Sequence, residues 1–257
     1  IIRKEIEAQS KISSKNKLEI RPAKETGQDL DIQEVEETEV LTTQSINTND
    51  EKAERDLKEK IATYYARILF FSFLTNSIVK SLKGIIDAIT LNNDDKRIAE
   101  NLNLKVDVLQ QICHKINPHI LSQLDYKIEN INELPRDARI SVLDRVKNAI
   151  KKFTILSESE VITPYAEADK LLDLIGIDNI TKLISSGSYV LDIASKSGEF
   201  ASVLYEKLIK YGYEVSKVAN KIVSLPTSSF AYEFTRKTYQ MLGMDISNII
   251  DKSTTYD

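Results

Sequence analysis

Apolar residues recur with helical spacing from residue 51 to about residue 152. The first predicted helix is capped by Asn49 or Asp50 and contains Ala66–Leu74, which is apolar on nearly every side. A helix with that pattern is buried within a bundle. Further helices are predicted to begin near Ser81, Asn93, Val106, Pro118 and Pro135. Because the connections between them are short, residues 51–152 are predicted to form an all-α bundle.

The pattern changes after Phe153 to an alternation of strands and helices. Helices are predicted at Ala166–Ile175, Asp178–Ser185, Glu199–Tyr211 and Phe230–Leu242, and strands at Tyr189–Ile193 and Lys221–Leu225. Strand, helix, strand, helix is typical of a parallel α/β sheet with right-handed crossovers. The short apolar run Tyr189–Ile193 predicts a buried strand. The predicted fold class is therefore α plus α/β, a helical bundle followed by the first part of a parallel sheet.

Residues 1–50 differ from the rest of the chain. They are polar and acidic in places, and no aromatic residue occurs before Tyr64. This composition predicts a linker or the tail of a preceding domain. The predicted organisation is therefore residues 1–50 as linker or tail, residues 51–152 as a helical domain and residues 153–257 as an α/β domain.

Overall composition limits the classes of protein that this chain can belong to. Its net charge of −4 and its pI near 5.5 argue against binding nucleic acid over the whole surface, although a local basic patch stays an option. Cys113 is the single cysteine, which fits a reducing cytoplasm. No apolar run reaches the roughly 18–20 residues that cross a bilayer, so we expect no membrane partner. Because the chain starts at Ile1, we expect it to be a piece of a longer polypeptide or a processed form.

A strand that ends in an acidic residue, a turn of small residues and a helix follow one another at residues 190–200. Asp192 ends the strand, the turn contains Ala194, Ser195, Ser197 and Gly198, and the helix begins near Glu199. Many α/β folds hold a cofactor in this way, because small residues admit the ligand and the helix start provides free N–H groups. A purely structural turn between a strand and a helix has the same pattern, so both interpretations stay open here.

The surrounding order of motifs resembles the amino-methylating DNA methyltransferases, which include the adenine-N6 enzymes of restriction–modification systems. It consists of Thr163-Pro164, a helix with Ala168–Leu172, and then Leu191–Phe200. The resemblance covers about residues 153–257 and implies a Rossmann-like sheet that binds S-adenosylmethionine. The cofactor-binding residues that it implies are Thr163, Pro164, Asp192, Ala194, Ser195, Ser197, Gly198 and Phe200.

The helical region resembles the segment ahead of the methyltransferase in large single-chain restriction–modification proteins. The residues that carry this likeness are Ala66–Thr75 and Asn117–Tyr126. It implies a helical coupler at residues 51–152, with helicase and nuclease domains in the same polypeptide. It also implies a bacterial, cytoplasmic protein whose partner is double-stranded DNA.

The sequence departs from the methyltransferase pattern at several positions. Ile193 stands in place of a proline, Ser195 in place of a cysteine or glycine, and Lys196 in place of a glycine. Lysine adopts positive φ less cheaply than glycine, and its side chain could occupy cofactor space. The second strand is followed by Leu225–Ser229, without the acidic residue that would hold the ribose, and Glu233 lies too far into the next helix for us to assign it that role.

The absence of the motif that holds an extruded base is a second departure from the methyltransferase pattern. In these enzymes it contains Pro-Pro followed by an aromatic residue, and no Pro-Pro pair occurs in this sequence. We therefore assign no catalytic residue within these 257 residues. The alternative is a non-catalytic structural and interaction module that links helicase and methyltransferase domains through a degenerate cofactor loop. A small-molecule methyltransferase is a third option.

Three further groups of residues have both a functional and a plain structural interpretation. Cys113, His114 and His119 are close in sequence, but a zinc site normally needs four ligands, so packing or surface roles are favoured and no metal is expected. Arg97–Leu104 and Val106–Ile112 have the pattern of a DNA-reading helix-turn-helix or of an ordinary helix pair. The basic residues are either a solvated face, which is favoured, or a contact to the DNA backbone; they are Arg136, Arg139, Arg145, Lys147, Lys151 and Lys152.

Overall fold

The computed structural model of the chain describes residues 51–153, 155–157 and 160–251. The predictions for residues 1–50, including the helix cap at Asn49 or Asp50, lie outside this part. None of the helices in the described ranges is both long enough and apolar enough to cross a membrane. The described residues are mainly helical, with a small parallel sheet, which agrees with the coarse α plus α/β prediction.

The helical part has the elements that the spacing of apolar residues predicts. They are α1 (Glu51–Leu74), α2 (Leu82–Leu91), α3 (Asn93–Asn101), α4 (Val106–Lys115), α5 (Pro118–Glu133) and α6 (Val142–Lys152). Residues 68–74 at the end of α1 are all buried, as expected for a helix that is apolar nearly all round. Ser81 caps α2, because its Oγ accepts a hydrogen bond of 3.0 Å from the amide of Gly84.

The predicted start of α6 at Pro135 is wrong. Leu134–Arg136 form a single 3₁₀ turn, and Asp137 then adopts an extended backbone that ends it. The helix begins seven residues later than predicted, at Val142, where Ser141 Oγ accepts a hydrogen bond of 3.1 Å from the Asp144 amide. The capping side chain of Ser141 therefore determines the start of the helix.

The α/β part begins with a short antiparallel pair and continues with the predicted alternation. Its elements are β1 (Ile155–Ser157), β2 (Glu160–Val161), α7 (Tyr165–Ile175), α8 (Ile177–Ser185), β3 (Val190–Ser195), α9 (Glu199–Lys210), α10 (Val215–Ala219), β4 (Ile222–Pro226) and α11 (Ser229–Leu242). Strands β3 and β4 are parallel, with Asp192 opposite Ser224. After α11 the chain returns to β4, where Ile249 forms a parallel bridge with Ser224.

One face of this sheet is open, so the prediction that the Tyr189–Ile193 strand is fully buried is wrong. Leu191 is 48% exposed and Ile193 67% exposed, whereas Asp192 between them is buried. Side chains alternate between the faces of a strand, and α11 packs on the Asp192 face through Tyr239, whose hydroxyl lies 2.9 Å from Ser224 Oγ. The opposite face is left exposed in the part of the chain that the structure describes.

The helical and α/β parts share one apolar core. Phe70 and Phe73 of α1 meet Phe153, at the end of α6, and Phe234 of α11, with ring centroids 4.5–6.2 Å apart. These distances are typical of interacting aromatic pairs. The division into domains at residue 152 stays a prediction, and any such domains would have a common aromatic cluster.

Candidate functional site

Two residues have left-handed backbone, one near the end of β3 and one in the turn that follows it. Ala194 has φ +64° at a bulge between Ile193 and Ser195, and Gly198 has φ +75° immediately before α9. Lys196 has no positive φ, so the conformational cost that we expected for lysine at that position does not arise. Its side chain instead crosses to β2, where Nζ donates a hydrogen bond of 2.6 Å to the carbonyl oxygen of Val161.

Glu199, the first residue of α9, connects the loop to the Thr163-Pro164 element. One carboxylate oxygen, Oε2, accepts hydrogen bonds of 2.9 Å from the amide and from the hydroxyl of Ser197. The other, Oε1, accepts one of 3.3 Å from the amide of Thr163. Glu199 is only 2% exposed, so these bonds lie in a largely water-free environment. The two motifs, 36 residues apart in sequence, therefore lie against each other.

Asp192 is a second buried carboxylate. It lies within β3, three residues before the strand ends at Ser195, so the prediction that Asp192 ends the strand is wrong. Its Oδ2 accepts a hydrogen bond of 3.3 Å from the hydroxyl of Ser224 on β4. Burial, followed by the nearby charge of Glu199, raises the pKa of Asp192 to about 7. Neither carboxylate forms an ion pair with another described residue. The segment from β3 to the start of α9 therefore contains two buried carboxyl groups with no cationic partner in the described part of the chain.

Helix α11 packs against the end of β3 and the loop that follows it. Thr235 Oγ1 lies 3.2 Å from Ser195 Oγ, and Thr238 Oγ1 donates a hydrogen bond of 2.7 Å to the carbonyl oxygen of Ser197. A Cβ built on Gly198 would lie 3.3 Å from Thr238 Cγ2. Gly198 is therefore needed for its backbone conformation and also for close contact with α11.

We expect Gly198→Ala to reduce the free energy of unfolding by about 2–3 kcal/mol. About 1 kcal/mol comes from placing alanine in left-handed backbone, and the rest from the displacement of Thr238. The matched control is Gly243→Ala, because Gly243 has φ +69° and nothing within 4 Å of its built Cβ. Urea unfolding of both variants measures the loss of stability in each. The loss in Gly243→Ala gives the contribution of backbone conformation, and the additional loss in Gly198→Ala gives the contribution of the contact with Thr238. Equal losses would show that contact with α11 does not require glycine at position 198.

The other predicted site residues divide into exposed and internal positions. Pro164 precedes α7 and is exposed, as is Ala194, whereas Ser195 and Ser197 are buried. Phe200 is half-buried and packs against the core. The predicted residues therefore lie at one end of the sheet, where Pro164 and Ala194 offer accessible surface.

The acidic residue missing after the second strand is not replaced by Glu233. Glu233 is buried, and its Oε1 accepts hydrogen bonds from Arg97 and Asn101 of α3. Burial raises the pKa of Glu233, and the charge of Arg97 opposes that rise. Ser228 occupies the turn after β4 and caps α11 by accepting from the amide of Ala231. Glu233 thus joins α11 to the helical part and does not reach the end of β4.

Most of the predicted basic stretch is engaged in internal contacts. Arg136 donates to the carbonyl oxygens of Asn76 and Ser77, at 2.9 and 3.0 Å. The other partners are Asp137 for Arg139, the Pro135 carbonyl for Arg145 and Glu206 for Lys147. These contacts leave fewer free cations for a DNA backbone than the sequence suggests.

The remaining candidates add little to the site. Helices α3 and α4 are joined by a turn in which Asn103 has φ +51°, and α4 packs against α1 and α2. DNA reading by this pair stays a prediction. Across residues 51–153, 155–157 and 160–251, no three His, Cys, Asp or Glu side chains are close enough together to hold a metal ion.

Three important residues were not among the predicted site residues. Glu199 was identified only as a helix start, because its distance of two residues from Ser197 does not match the three-residue spacing of a capping box. Thr235 and Thr238 lie three residues apart, so they share one face of α11. No local pattern shows that this face meets the loop.

The candidate site is thus the loop after β3, flanked by a buried carboxylate on β3 and another at the start of α9, and held against the Thr163-Pro164 element by Glu199. Comparisons with protein-family models, with curated proteins and with solved structures found nothing that matches this chain. The likeness to methyltransferases therefore depends on the sequence motifs alone.

Proposed function

We propose that this chain supplies the S-adenosylmethionine-binding part of a DNA methyltransferase, of the adenine-N6 type found in bacterial restriction–modification enzymes. Residues 51–152 would act as a coupler to helicase and nuclease domains of the same cytoplasmic polypeptide, and the substrate would be double-stranded DNA. The observation that carries the proposal is the pair of buried carboxylates, Asp192 and Glu199, at the loop where the motif predicts the cofactor.

The charge of these carboxylates fits the proposed cofactor. S-adenosylmethionine carries a sulfonium and an ammonium group, and its sulfonium supplies the activated methyl group. A buried charge without a partner is costly, and a bound cation offsets that cost. Asp192 would attract the cationic groups, while the exposed residues Pro164 and Ala194 would contact the rest of the molecule. Glu199 would hold these two surfaces in position.

The open face of the sheet also supports the proposal. Doubly wound α/β folds cover both faces of their sheet with helices. Here Leu191 and Ile193 are exposed, and by register Val223 and Leu225 share their face. Such a face fits a Rossmann-like sheet that further polypeptide completes, which is where we propose that the missing base-binding motif is supplied.

Isothermal titration of the chain with S-adenosylmethionine tests the proposal. We expect binding, with at least a tenfold loss of affinity in Asp192→Asn, because a charged contact contributes about 1.5–3 kcal/mol. Below pH 7 Asp192 holds a proton, so affinity in the unmodified chain should fall by up to about tenfold per pH unit. In Asp192→Asn that dependence should vanish.

Asp87→Asn removes an exposed carboxylate on α2 and should leave affinity unchanged. If the unmodified chain gives no heat at millimolar S-adenosylmethionine, the cofactor proposal is wrong.

That negative result would favour the second candidate, a structural and interaction module with a degenerate loop. A specific observation supports it: the hydroxyls of Ser195 and Ser197 are engaged with Thr235 and Glu199, and Lys196 spans from the loop to Val161. A loop whose polar groups are satisfied internally needs no ligand to be stable.

A further inference from the structure

A cleft of about 630 Å³ lies between α6, α7 and α9, at the junction of the helical and α/β parts. Its volume is in the range of small-molecule sites. It contains none of the residues of the loop at 190–200, and Pro164 is the residue that it shares with the proposed cofactor site. The cleft is therefore a separate cavity that adjoins the proposed cofactor site at Pro164, and the inference below does not depend on the proposed function.

The walls of the cleft are mainly apolar. Ile150 and Ile162 are buried at its base, and Val161 and Pro164 are exposed along its side. Exposed apolar surface in a concave site favours a ligand with an apolar body, because binding removes that surface from water.

One end of the cleft carries an organised group of charges. Glu206, which is 12% exposed, accepts a hydrogen bond of 2.7 Å from the hydroxyl of Tyr165 and lies 2.8 Å from both Lys147 and Lys210. The Lys147 ammonium also lies over the Tyr165 ring, 4.9 Å from its centroid. Although burial opposes it, the hydrogen bonds from Lys147, Lys210 and Tyr165 lower the pKa of Glu206 to about 2. The two lysines are thus held in place by a carboxylate that stays ionised.

The balance of charge in the cleft is positive. Lys147, Lys151 and Lys210 face two carboxylates, and one of these, Asp169, also pairs with Lys207 at 2.8 Å. Lys151 is exposed at the edge of the cleft and forms no ion pair within the described ranges. An apolar cavity with excess positive charge at its rim attracts anions that carry an apolar body.

We propose that this cleft binds a hydrophobic organic anion, an apolar body with one acidic group that meets Lys151 and the ordered ammonium groups of Lys147 and Lys210. Its apolar body would lie against Ile150 and Ile162. The acidic group can belong to an aliphatic or to an aromatic molecule, since both offer the same chemistry to the cleft.

Fluorescence titration with 1-anilinonaphthalene-8-sulfonate, an aromatic anion, tests this proposal. We expect micromolar binding that weakens at least tenfold in Lys151→Glu, which reverses the unpaired charge. Ala166→Trp, at an exposed lining position, should weaken it similarly by filling the cleft. The uncharged probe N-phenyl-1-naphthylamine should respond to Ala166→Trp but hardly to Lys151→Glu.

Matched controls address binding elsewhere, because exposed apolar residues such as Leu174 also attract such dyes. Lys115→Glu and Ala62→Trp are exposed changes on α4 and α1, and neither should alter the titration. Circular dichroism checks that every variant is folded. Equal binding in Lys151→Glu and the unmodified chain would overturn the proposal, as would equal losses in Lys151→Glu and Lys115→Glu.

Competition identifies the source of the anion. Displacement of the dye by laurate indicates an aliphatic acid, and displacement by 2-naphthoate indicates an aromatic one. Displacement by neither at millimolar concentration would contradict a site for organic acids.

Discussion

Phe234→Ala is expected to lower the free energy of unfolding by about 3–5 kcal/mol, the range for truncating a buried phenylalanine. Phe234 has no exposed surface and lies among Phe70, Phe73 and Phe153. The loss is a large share of the 5–15 kcal/mol that stabilises a typical protein. Because the rings come from both parts of the chain, we expect both parts to lose stability together.

Hydrogen exchange followed by mass spectrometry measures this effect along the chain. In Phe234→Ala, protection should fall in α1 and α5 as well as in β4 and α11. Tyr126→Ala is the control, because Tyr126 is 67% exposed and its removal should cost less than about 0.5 kcal/mol. Loss of protection confined to residues 160–251 would instead support two domains that unfold separately.

Lys237→Met is expected to change how stability depends on pH. Lys237 is 5% exposed, and its Nζ donates hydrogen bonds to the Thr75 carbonyl at 3.0 Å and to Asn76 Oδ1 at 2.8 Å. Burial, with a further contribution from Arg136, lowers its pKa to about 7, and Asp95 opposes the shift. Above pH 7 the folded chain therefore loses a proton that the unfolded chain keeps until about pH 10.5.

The sign of the effect follows from this difference in bound protons. Between pH 7 and pH 9 the unmodified chain should gain about 2–3 kcal/mol of stability relative to Lys237→Met, at about 1.4 kcal/mol per pH unit. Chemical denaturation at pH 6, 7, 8 and 9 measures the gain. Asp192 titrates in both proteins, so its contribution cancels in the comparison. Lys96→Met, on the exposed side of α3, controls for the loss of one lysine. A difference that is constant with pH would mean that burial does not perturb Lys237.

Local signals predict most elements of this fold. The capping residues Ser81 and Asn117 mark helix starts that the structure confirms, and the parallel pairing of β3 and β4 follows from the order strand, helix, strand. The start of α6 was missed because Pro135 is compatible with a first helical turn, and the later cap at Ser141 was not considered. The exposure of Ile193 was missed because an apolar run does not show how many faces of a strand are covered.

The site was predictable only as far as its residues are local in sequence. The small residues after Asp192 and the Thr163-Pro164 pair could be proposed as candidates because each has a short motif. The contact of Glu199 with both, and of Thr238 with Ser197, depends on tertiary packing and has no local pattern. Lys196 shows the limit of a motif, since its departure from glycine matters only if the backbone there has positive φ, and here it does not.

Helix α11 limits which helical parts could be joined to this α/β part. The threonines of this helix contact the loop after β3. On the same helix, Glu233 contacts Arg97 and Lys237 contacts Asn76, both in the helical part. A recombination that joined a foreign helical part at residue 153 would leave a buried carboxylate and a buried amine without their partners. A foreign helical part would therefore be compatible with this α/β part only if it supplied partners for both Glu233 and Lys237.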